Sequence, residues 1–293
     1  MPDYNASSIQ VLEGLDPVRK RPGMYIGGTG KDGLHHLLRE IVDNSTDEAM
    51  AGFCDAIKVT LLENGRSVAV DDNGRGIPVD MHPVHKRPAL EIILTTLHSG
   101  GKFGQGAYST SGGLHGVGSS VVNALSERLV ATVRRDGSEY VQEFRRGKPK
   151  EPMMKVGLAR GHGTRIEFTP DAEVFGEFTF DPEWILERLD QCAFLNRGLK
   201  ITFDDRMSRK RTELVHEGGL KDFVEAVLKK DNTPRLTDRV FHIERAADPR
   251  LEVALCWTEA PRERFQTFVN SDPLAMGTMA RSGSRHPSCS ATS

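Results

Sequence analysis

Eight of the chain's 29 glycines fall between Ser99 and Gly118, at Gly100, Gly101, Gly104, Gly106, Gly112, Gly113, Gly116 and Gly118. Glycine gives up more backbone freedom on ordering than any other residue, so such a density does not suit the interior of a helix or strand. It suits a loop whose backbone approaches a ligand closely. An apolar stretch, Val121–Leu125, follows directly and reads as a helix. Glycines ahead of a helix expose successive N–H groups at its N-terminus, where unbonded donors and the helix dipole stabilise an anion. The chain is therefore expected to fold around an anion-approaching loop. No G-x-x-x-x-G-K-[ST] occurs, which excludes the Walker A mode. Gly28-Thr29-Gly30-Lys31-Asp32-Gly33 matches G-x-G-x-x-G, but only Met24-Tyr25-Ile26 precedes it where a dinucleotide fold needs a full strand. It reads instead as a loop entering the next helix.

The other bounds are those of an ordinary globular protein. With 293 residues, 38% hydrophobic and 27% charged, the chain can bury a substantial core and has the length of about two average domains. The balance of 39 Lys+Arg against 41 Asp+Glu gives a net charge of −2 and no global nucleic-acid signature. No run of about 18 apolar residues suggests a membrane span, and MPDYNASSIQ lacks the regions of a secretory signal. Cys54, Cys192, Cys256 and Cys289 are scattered without a CxxC pair, which argues against a disulfide framework or structural zinc and fits a reducing cytoplasm.

Apolar spacing predicts a helix from Asp32 to about Ala51, with Gly52 as its stop. Ala56–Leu62 and Ser67–Asp71 read as a strand pair about Asn64-Gly65. Further helices are expected at 89–97, 182–195 and 220–229. Strands are expected near 128–135, 139–145, 164–169, 199–203, 238–244, 251–257 and 264–269. The polar stretch 204–217 reads as a boundary, with the basic run Arg206–Arg211 either touching DNA phosphates or, as preferred, forming a solvated loop. Trp184 and Trp257 read as core residues. The last 23 residues hold six serines and no aromatic residue, the composition of a disordered tail.

Four patterns carry chemistry. On the 32–51 helix, Glu40, Asn44, Asp47 and Glu48 stand at i, i+4, i+7 and i+8, and His36 lies one turn earlier. Helical geometry puts them on one face. That face is either solvated or lines a pocket with an acid able to act as general base. Asp71-Asp72-Asn73-Gly74-Arg75-Gly76-Ile77-Pro78 follows a strand and presents a carboxylate beside glycines. A carboxylate accepts hydrogen bonds and disfavours phosphate, so Asp72 suits an amine such as the exocyclic N6 of adenine, unless the segment is simply a turn. Ser111–Gly118, with Lys102 upstream, offers backbone donors. Gly161-His162-Gly163-Thr164 enters a strand with a hydroxyl beside glycines.

The ordered set ExxxNxxDE, DxGxGIP, GGxHGxG and GT resembles the four boxes of the ATPases shared by gyrase, the ninety-kilodalton heat-shock chaperone, histidine kinases and MutL. Around those boxes, YNASSIQVLEGLDPVRKRPGMYIG, EIVDNSTDEAMAG, DDNGRGIPVDMHP, LHSGGKF, SGGLHGVGSSVVNALS and QTFVN closely resemble the B subunits of bacterial type II DNA topoisomerases, gyrase and topoisomerase IV alike. The resemblance runs from about Tyr4 to Asn270. A histidine kinase is disfavoured because no phosphoacceptor helix precedes the boxes, and MutL by the N-terminal arm and the SGGLHGVG context.

The resemblance implies an α/β fold, the two-layer sandwich known as the GHKL or Bergerat ATP-binding fold, over residues 1–217 with an N-terminal arm. Part of an α+β transducer domain would follow over 218–270, and a tail outside the family pattern over 271–293. It implies ATP and Mg²⁺ as ligands. Glu40 would be the general base for the hydrolytic water, His36 its hydrogen-bonding support, and Asn44 the Mg²⁺ ligand. Asp72 would read the adenine amine, with Gly76, Ile77, Pro78 and Thr164 lining that pocket. Gly113, Leu114, His115, Gly116, Val117, Gly118 and Ser119, with Lys102, would wrap the triphosphate. Tyr4 would reach the nucleotide of a partner subunit in an ATP-driven homodimer. Glu48 and Arg75 would form a charge pair at the pocket mouth, where aminocoumarin inhibitors of the family bind. The implied partners are DNA and the topoisomerase A subunit, in the cytoplasm and away from membranes.

Two departures stand out. Ser45-Thr46 replaces a small or apolar pair, and the Thr46 hydroxyl could alter the adenine pocket. After Asn270 the family's Gly-Gly-Thr-His segment, its transducer lysine and its toprim domain do not appear. A frameshift near residue 271 is the simplest expectation, with nucleotide binding kept and hydrolysis impaired. The alternative function is accordingly a nucleotide-binding and dimerisation module with little or no hydrolysis.

Overall fold

Residues 12–99, 117–246, 250–260, 264–269 and 272–273 are described by the structure, a computed structural model. Two short helices, α1 (Asp16–Lys20) and α2 (Gly23–Ile26), lead into α3 (Lys31–Met50). Helix α2 occupies the place where a dinucleotide fold would need a strand, so the G-x-G-x-x-G segment is a loop into α3. Helix α3 buries Leu34, Leu37, Leu38, Ile41 and Val42, the spacing of one helical face. A hairpin of β1 (Ala56–Leu61) and β2 (Val68–Asp72) follows, closed at Leu61↔Val68. Its turn is held by Asn64, whose Oδ1 accepts the N–H groups of Arg66 and Ser67, both at 2.9 Å.

Helices α4 (Ala89–Thr95) and α5 (Gly118–Ala124) come next, then β3 (Ser126–Arg135), β4 (Ser138–Arg145), β5 (Lys148–Pro149), β6 (Met154–Leu158) and β7 (Gly163–Pro170). The main unit finishes with α6 (Ala172–Phe175), α7 (Pro182–Leu195), β8 (Lys200–Asp205) and β9 (Lys210–Leu214). Strands β1–β9 form one nine-stranded sheet in the order β5-β4-β3-β7-β2-β1-β8-β9, with β6 also paired to β4. Only β1 and β8 run parallel; every other pairing in this sheet is antiparallel. The helices and this mixed sheet make a two-layer α/β sandwich. Alternate residues of β3 and β7 point inward, among them Leu129, Ala131 and Val133 on β3 and Thr164, Ile166 and Phe168 on β7. With Leu37, Leu38, Phe144, Phe180 and Ile185 they build the core, where each large side chain contributes about 1.5–3 kcal/mol.

After β9 come α8 (Leu220–Lys230), a hairpin of β10 (Phe241–Arg245) and β11 (Leu251–Leu255), and the two-residue pair β12 (Phe268–Val269) and β13 (Asp272–Pro273). Helix α8 rests on α7 through Phe223, whose ring lies 5.4 Å from that of Phe194, and through Lys230, 2.8 Å from Glu187.

Three expectations are corrected. The stretch 204–217 is not a bare boundary: β9 pairs with β8 from Asp205↔Lys210 to Ile201↔Leu214. Its polarity belongs to an edge strand and to a turn in which Asp205 accepts the N–H groups of Met207 and Ser208. Trp257 is 60% exposed because it lies just past β11, in a hairpin whose Phe241, Ile243 and Leu251 are exposed as well. In the tail expected to lack structure, Asp272–Pro273 pairs with Phe268–Val269; residues 274–293 lie outside the described ones. Trp184, by contrast, packs against the core and stacks on His35 at 4.3 Å.

Candidate functional site

The polar face of α3 is largely covered. Asp47 is 2% exposed, and the side chains of Glu48 and Glu40 are 15% and 29% exposed, which overturns the reading of a solvated stripe. His36 Nε2 lies 3.0 Å from Glu40 Oε1. Asn44 Nδ2 donates to the Glu40 carbonyl at 2.7 Å and to Ser119 Oγ at 3.1 Å, so the first turn of α5 is tied to α3. Gly118 opens α5 directly against the acid: a Cβ at that position would sit 2.0 Å from Glu40 Oε2. A side chain at that position would have to push the Glu40 carboxylate aside.

Asp72 ends β2 and is buried. Its Oδ2 accepts from Ser45 Oγ at 2.9 Å, and its Oδ1 accepts from the N–H groups of Gly74 at 2.9 Å and Thr164 at 3.1 Å. Burial pushes its pKa above the usual carboxylate value, and these three hydrogen bonds offset that only in part. Thr164 Oγ1 in turn accepts the N–H of Ile77 at 3.1 Å. Gly163, at φ +137°, lets β7 pass so close to β2 that a Cβ would lie 2.0 Å from the Asp72 carbonyl oxygen. Arg134 Nη2 donates to Asp71 Oδ1 at 2.6 Å and to the Asp72 carbonyl at 3.1 Å, and Arg135 Nη1 to the Gly76 carbonyl at 2.8 Å. Glu48 takes a forked pair of bonds from Arg75, at 3.0 Å from Nε and 2.8 Å from Nη2. The Arg75 guanidinium lies over the Phe53 ring at 3.8 Å.

The structure therefore connects His36, Glu40, Asn44 and Ser119 in one group, with Val117 and Gly118 at the start of α5. It connects Asp72, Ile77 and Thr164 in a second, with Gly76 and Pro78 on the same loop, and Glu48 pairs with Arg75 beside Gly74. Tyr4, Lys102, Gly113, Leu114, His115 and Gly116 lie outside the described residues. Arg134 and Arg135 were not singled out by the sequence, and Ser45 only as a departure from the family pattern. Ser45 follows Asn44 on α3 and could have been found by asking which donor satisfies a buried carboxylate; the two arginines follow no spacing rule. Thr46 is buried and gives its hydroxyl to the Asp43 carbonyl at 3.0 Å, so it is satisfied within α3.

An acid beside a histidine, an amide bridging two helices and a buried carboxylate beside glycines thus lie on one α/β sandwich. Residues 29–174 match the family described as histidine kinase-, DNA gyrase B- and HSP90-like ATPases. The DNA gyrase B protein of Thermotoga maritima is 49% identical over 92% of this chain and 43% of its own length. That of Thermus thermophilus is 48% identical over 94% of this chain, again 43% of its own length. The crystal structure of the 43K ATPase domain of Thermus thermophilus gyrase B in complex with an aminocoumarin aligns with a TM-score of 0.78 and 42% identity, over 88% of this chain and 66% of that one. The chain belongs to this ATPase family and, within it, to the B subunits of bacterial type II topoisomerases. It spans about 43% of the length of those two gyrase relatives. No helix among the described residues is long and apolar enough to cross a membrane.

Proposed function

We propose that the chain binds ATP with Mg²⁺ and hydrolyses it, as the energy-coupling region of a type II topoisomerase B subunit. The observation that carries this reading is Asp72: a buried carboxylate fixed by Ser45, Gly74 and Thr164, with Oδ2 taking only one of those three bonds. A carboxylate oxygen accepts more than one hydrogen bond, so Oδ2 can also take the exocyclic amine of adenine. Gly76, Ile77, Pro78 and Thr164 line the base. Glu40, aligned by His36 Nε2, takes the proton of the attacking water. Val117, Gly118 and Ser119 at the start of α5 would face the phosphates, continued by Gly113, Leu114, His115 and Gly116 and by Lys102.

The residues present fit Mg²⁺. Asn44 spends Nδ2 on the Glu40 carbonyl and Ser119 Oγ, and its oxygen is the atom a hard cation would take. Among the described residues no cluster of three or more His, Cys, Asp or Glu could hold a metal by itself. An ion there would be held mostly by waters and phosphates and would neutralise phosphate charge. The Glu48–Arg75 pair would shape the pocket mouth.

The wider reading is that residues 1–217 form the ATPase domain, 218–270 part of a transducer and 271–293 a tail. Tyr4 would cross to a second copy when ATP binds, and the dimer would work on DNA with a topoisomerase A subunit in the cytoplasm. Separate measurements of ATP affinity and turnover test the core of this. Glu40→Gln is expected to keep affinity and to lose about 10²–10⁴ in rate. Turnover unchanged in that variant would refute the base assignment. Affinity without turnover in the parent chain would favour a binding and dimerisation module instead.

A further inference from the structure

Arg39 has no part in the reading above, yet its guanidinium contacts the residue that aligns the base. Its Nη2 lies 2.9 Å from His36 Nδ1, while His36 Nε2 lies 3.0 Å from Glu40 Oε1. All three side chains project from α3, at positions i, i+3 and i+4, where helical neighbours meet. A guanidinium carries only N–H donors and keeps its proton at any ordinary pH. The ring nitrogen facing it must therefore be the one with the lone pair. In a neutral imidazole the single proton then sits on the other nitrogen, which is the one facing the carboxylate.

We propose that Arg39 is a positioning residue that holds His36 with Nδ1 as acceptor and the proton on Nε2, so that His36 donates a hydrogen bond to Glu40. Two consequences follow. With the proton on Nε2, the hydrogen bond to Oε1 fixes the rotation of the Glu40 carboxylate. With Nδ1 occupied as an acceptor, the rotation of the ring is fixed as well. Arg39 thus acts on the base through a ring that touches both. The catalytic part of this inference rests on the assignment of Glu40 as the base; the tautomer does not.

The test uses the full 293-residue chain labelled with ¹⁵N-histidine, in long-range ¹H–¹⁵N correlation spectra at neutral pH. His36 is assigned by the signal that vanishes in His36→Gln. The expected spectrum shows an unprotonated Nδ1 and a protonated Nε2. In Arg39→Met, Nδ1 should gain proton character, and kcat for ATP should fall on the order of tenfold with little change in KM, a fraction of what the whole base contributes. Arg39→Lys, which keeps a cationic donor, should restore the parent spectrum and most of the rate. A protonated Nδ1 in the parent chain, or an Arg39→Met spectrum identical to the parent, overturns the proposal. The spectra decide this whether or not the chain turns ATP over. Wild-type turnover in Glu40→Gln would instead refute the base assignment and leave the tautomer standing.

Discussion

Replacing Asp72 with asparagine separates recognition from folding, because the two carboxylate oxygens have different partners. Oδ1 accepts two backbone N–H groups, from Gly74 at 2.9 Å and Thr164 at 3.1 Å. Oδ2 accepts from Ser45 Oγ at 2.9 Å. In Asp72→Asn the amide oxygen has to keep the Oδ1 position, since backbone donors cannot reverse. The NH₂ group then takes the Oδ2 position, where the Ser45 hydroxyl can turn to accept from it. All three internal bonds survive, and the group offered to the base changes from acceptor to donor. A hydrogen bond to a charged acceptor is worth about 1.5–3 kcal/mol, and two donors left facing each other add to the loss. A total near ~3 kcal/mol weakens ATP binding by roughly 10²-fold.

Stability should move the other way or stay level. Burial holds the folded-state pKa of Asp72 above its unfolded value. An acid raised in this way favours the fold at pH below its unfolded pKa and loses that contribution as pH rises through the folded pKa. At neutral pH the ionised group therefore costs stability, and asparagine removes the charge. Titration calorimetry with ATP and with inosine triphosphate, whose O6 accepts where adenine donates, reads the effect directly. The variant should lose ATP affinity and narrow or reverse the preference between the two nucleotides, with its melting temperature unchanged or higher. ATP affinity equal to wild type in a folded variant would refute the assignment of Asp72 as the reader of the base.

Gly118→Ala should cost turnover more than fold, because the new methyl would lie 2.0 Å from Glu40 Oε2 and displace that carboxylate; a loss on the order of 10²-fold in kcat with a smaller change in ATP affinity is expected. Arg134→Met removes the bonds to Asp71 at 2.6 Å and to the Asp72 carbonyl at 3.1 Å, and urea unfolding should show a loss of about 1–2 kcal/mol with weaker ATP binding. Asp171, its side chain 1% exposed, lies 2.7 Å from Arg19 and 2.9 Å from Arg146. Burial raises its pKa, but the Glu173 N–H and the two arginines outweigh that and hold it below the usual value. Its contribution is therefore present above the unfolded pKa and lost as acid carries the pH down through the folded one. Asp171→Asn should lose about 2 kcal/mol at pH 7 and show a flatter acid limb in denaturation below about pH 5.

Where one face of an element is buried, the sequence made that element legible. The apolar set of α3 and the inward residues of β3 and β7 repeat at the periods that packing imposes. Strand β6 was invisible for the opposite reason: Met154–Leu158 is exposed at every position, and without a buried face there is no alternation to read. Strand β9 was hidden by the charges that suit an edge strand. Helical spacing also separated two adjacent histidines. His36 falls on the stripe with Glu40, whereas His35 is buried against Trp184 and Phe180 and accepts the Asp181 N–H at 3.1 Å. Burial lowers the His35 pKa and keeps it neutral. Two neighbours of one residue type thus differ in role because about 100° of helix lies between them.

What spacing could not show is how the site is closed, since closure joins residues far apart in the chain. Asp72 is satisfied by Ser45 on α3 and by Thr164 on β7, 27 and 92 residues away. Its strand is braced by Arg134, 62 residues on. The glycines carry this long-range information in a form that looks local. Gly163 and Gly118 each occupy a point where a Cβ would lie 2.0 Å from a site residue's oxygen, the Asp72 carbonyl in one case and the Glu40 carboxylate in the other. Read along the chain they mark loops. In the fold Gly163 sets how close β7 comes to β2, and Gly118 leaves room for the Glu40 carboxylate at the start of α5, so that Thr164 reaches Asp72 and Ser119 reaches Asn44. A change at Gly118 should therefore alter chemistry before it alters the core, because the Glu40 carboxylate yields first, whereas a side chain at Gly163 would strike the Asp72 backbone and strain the sheet itself.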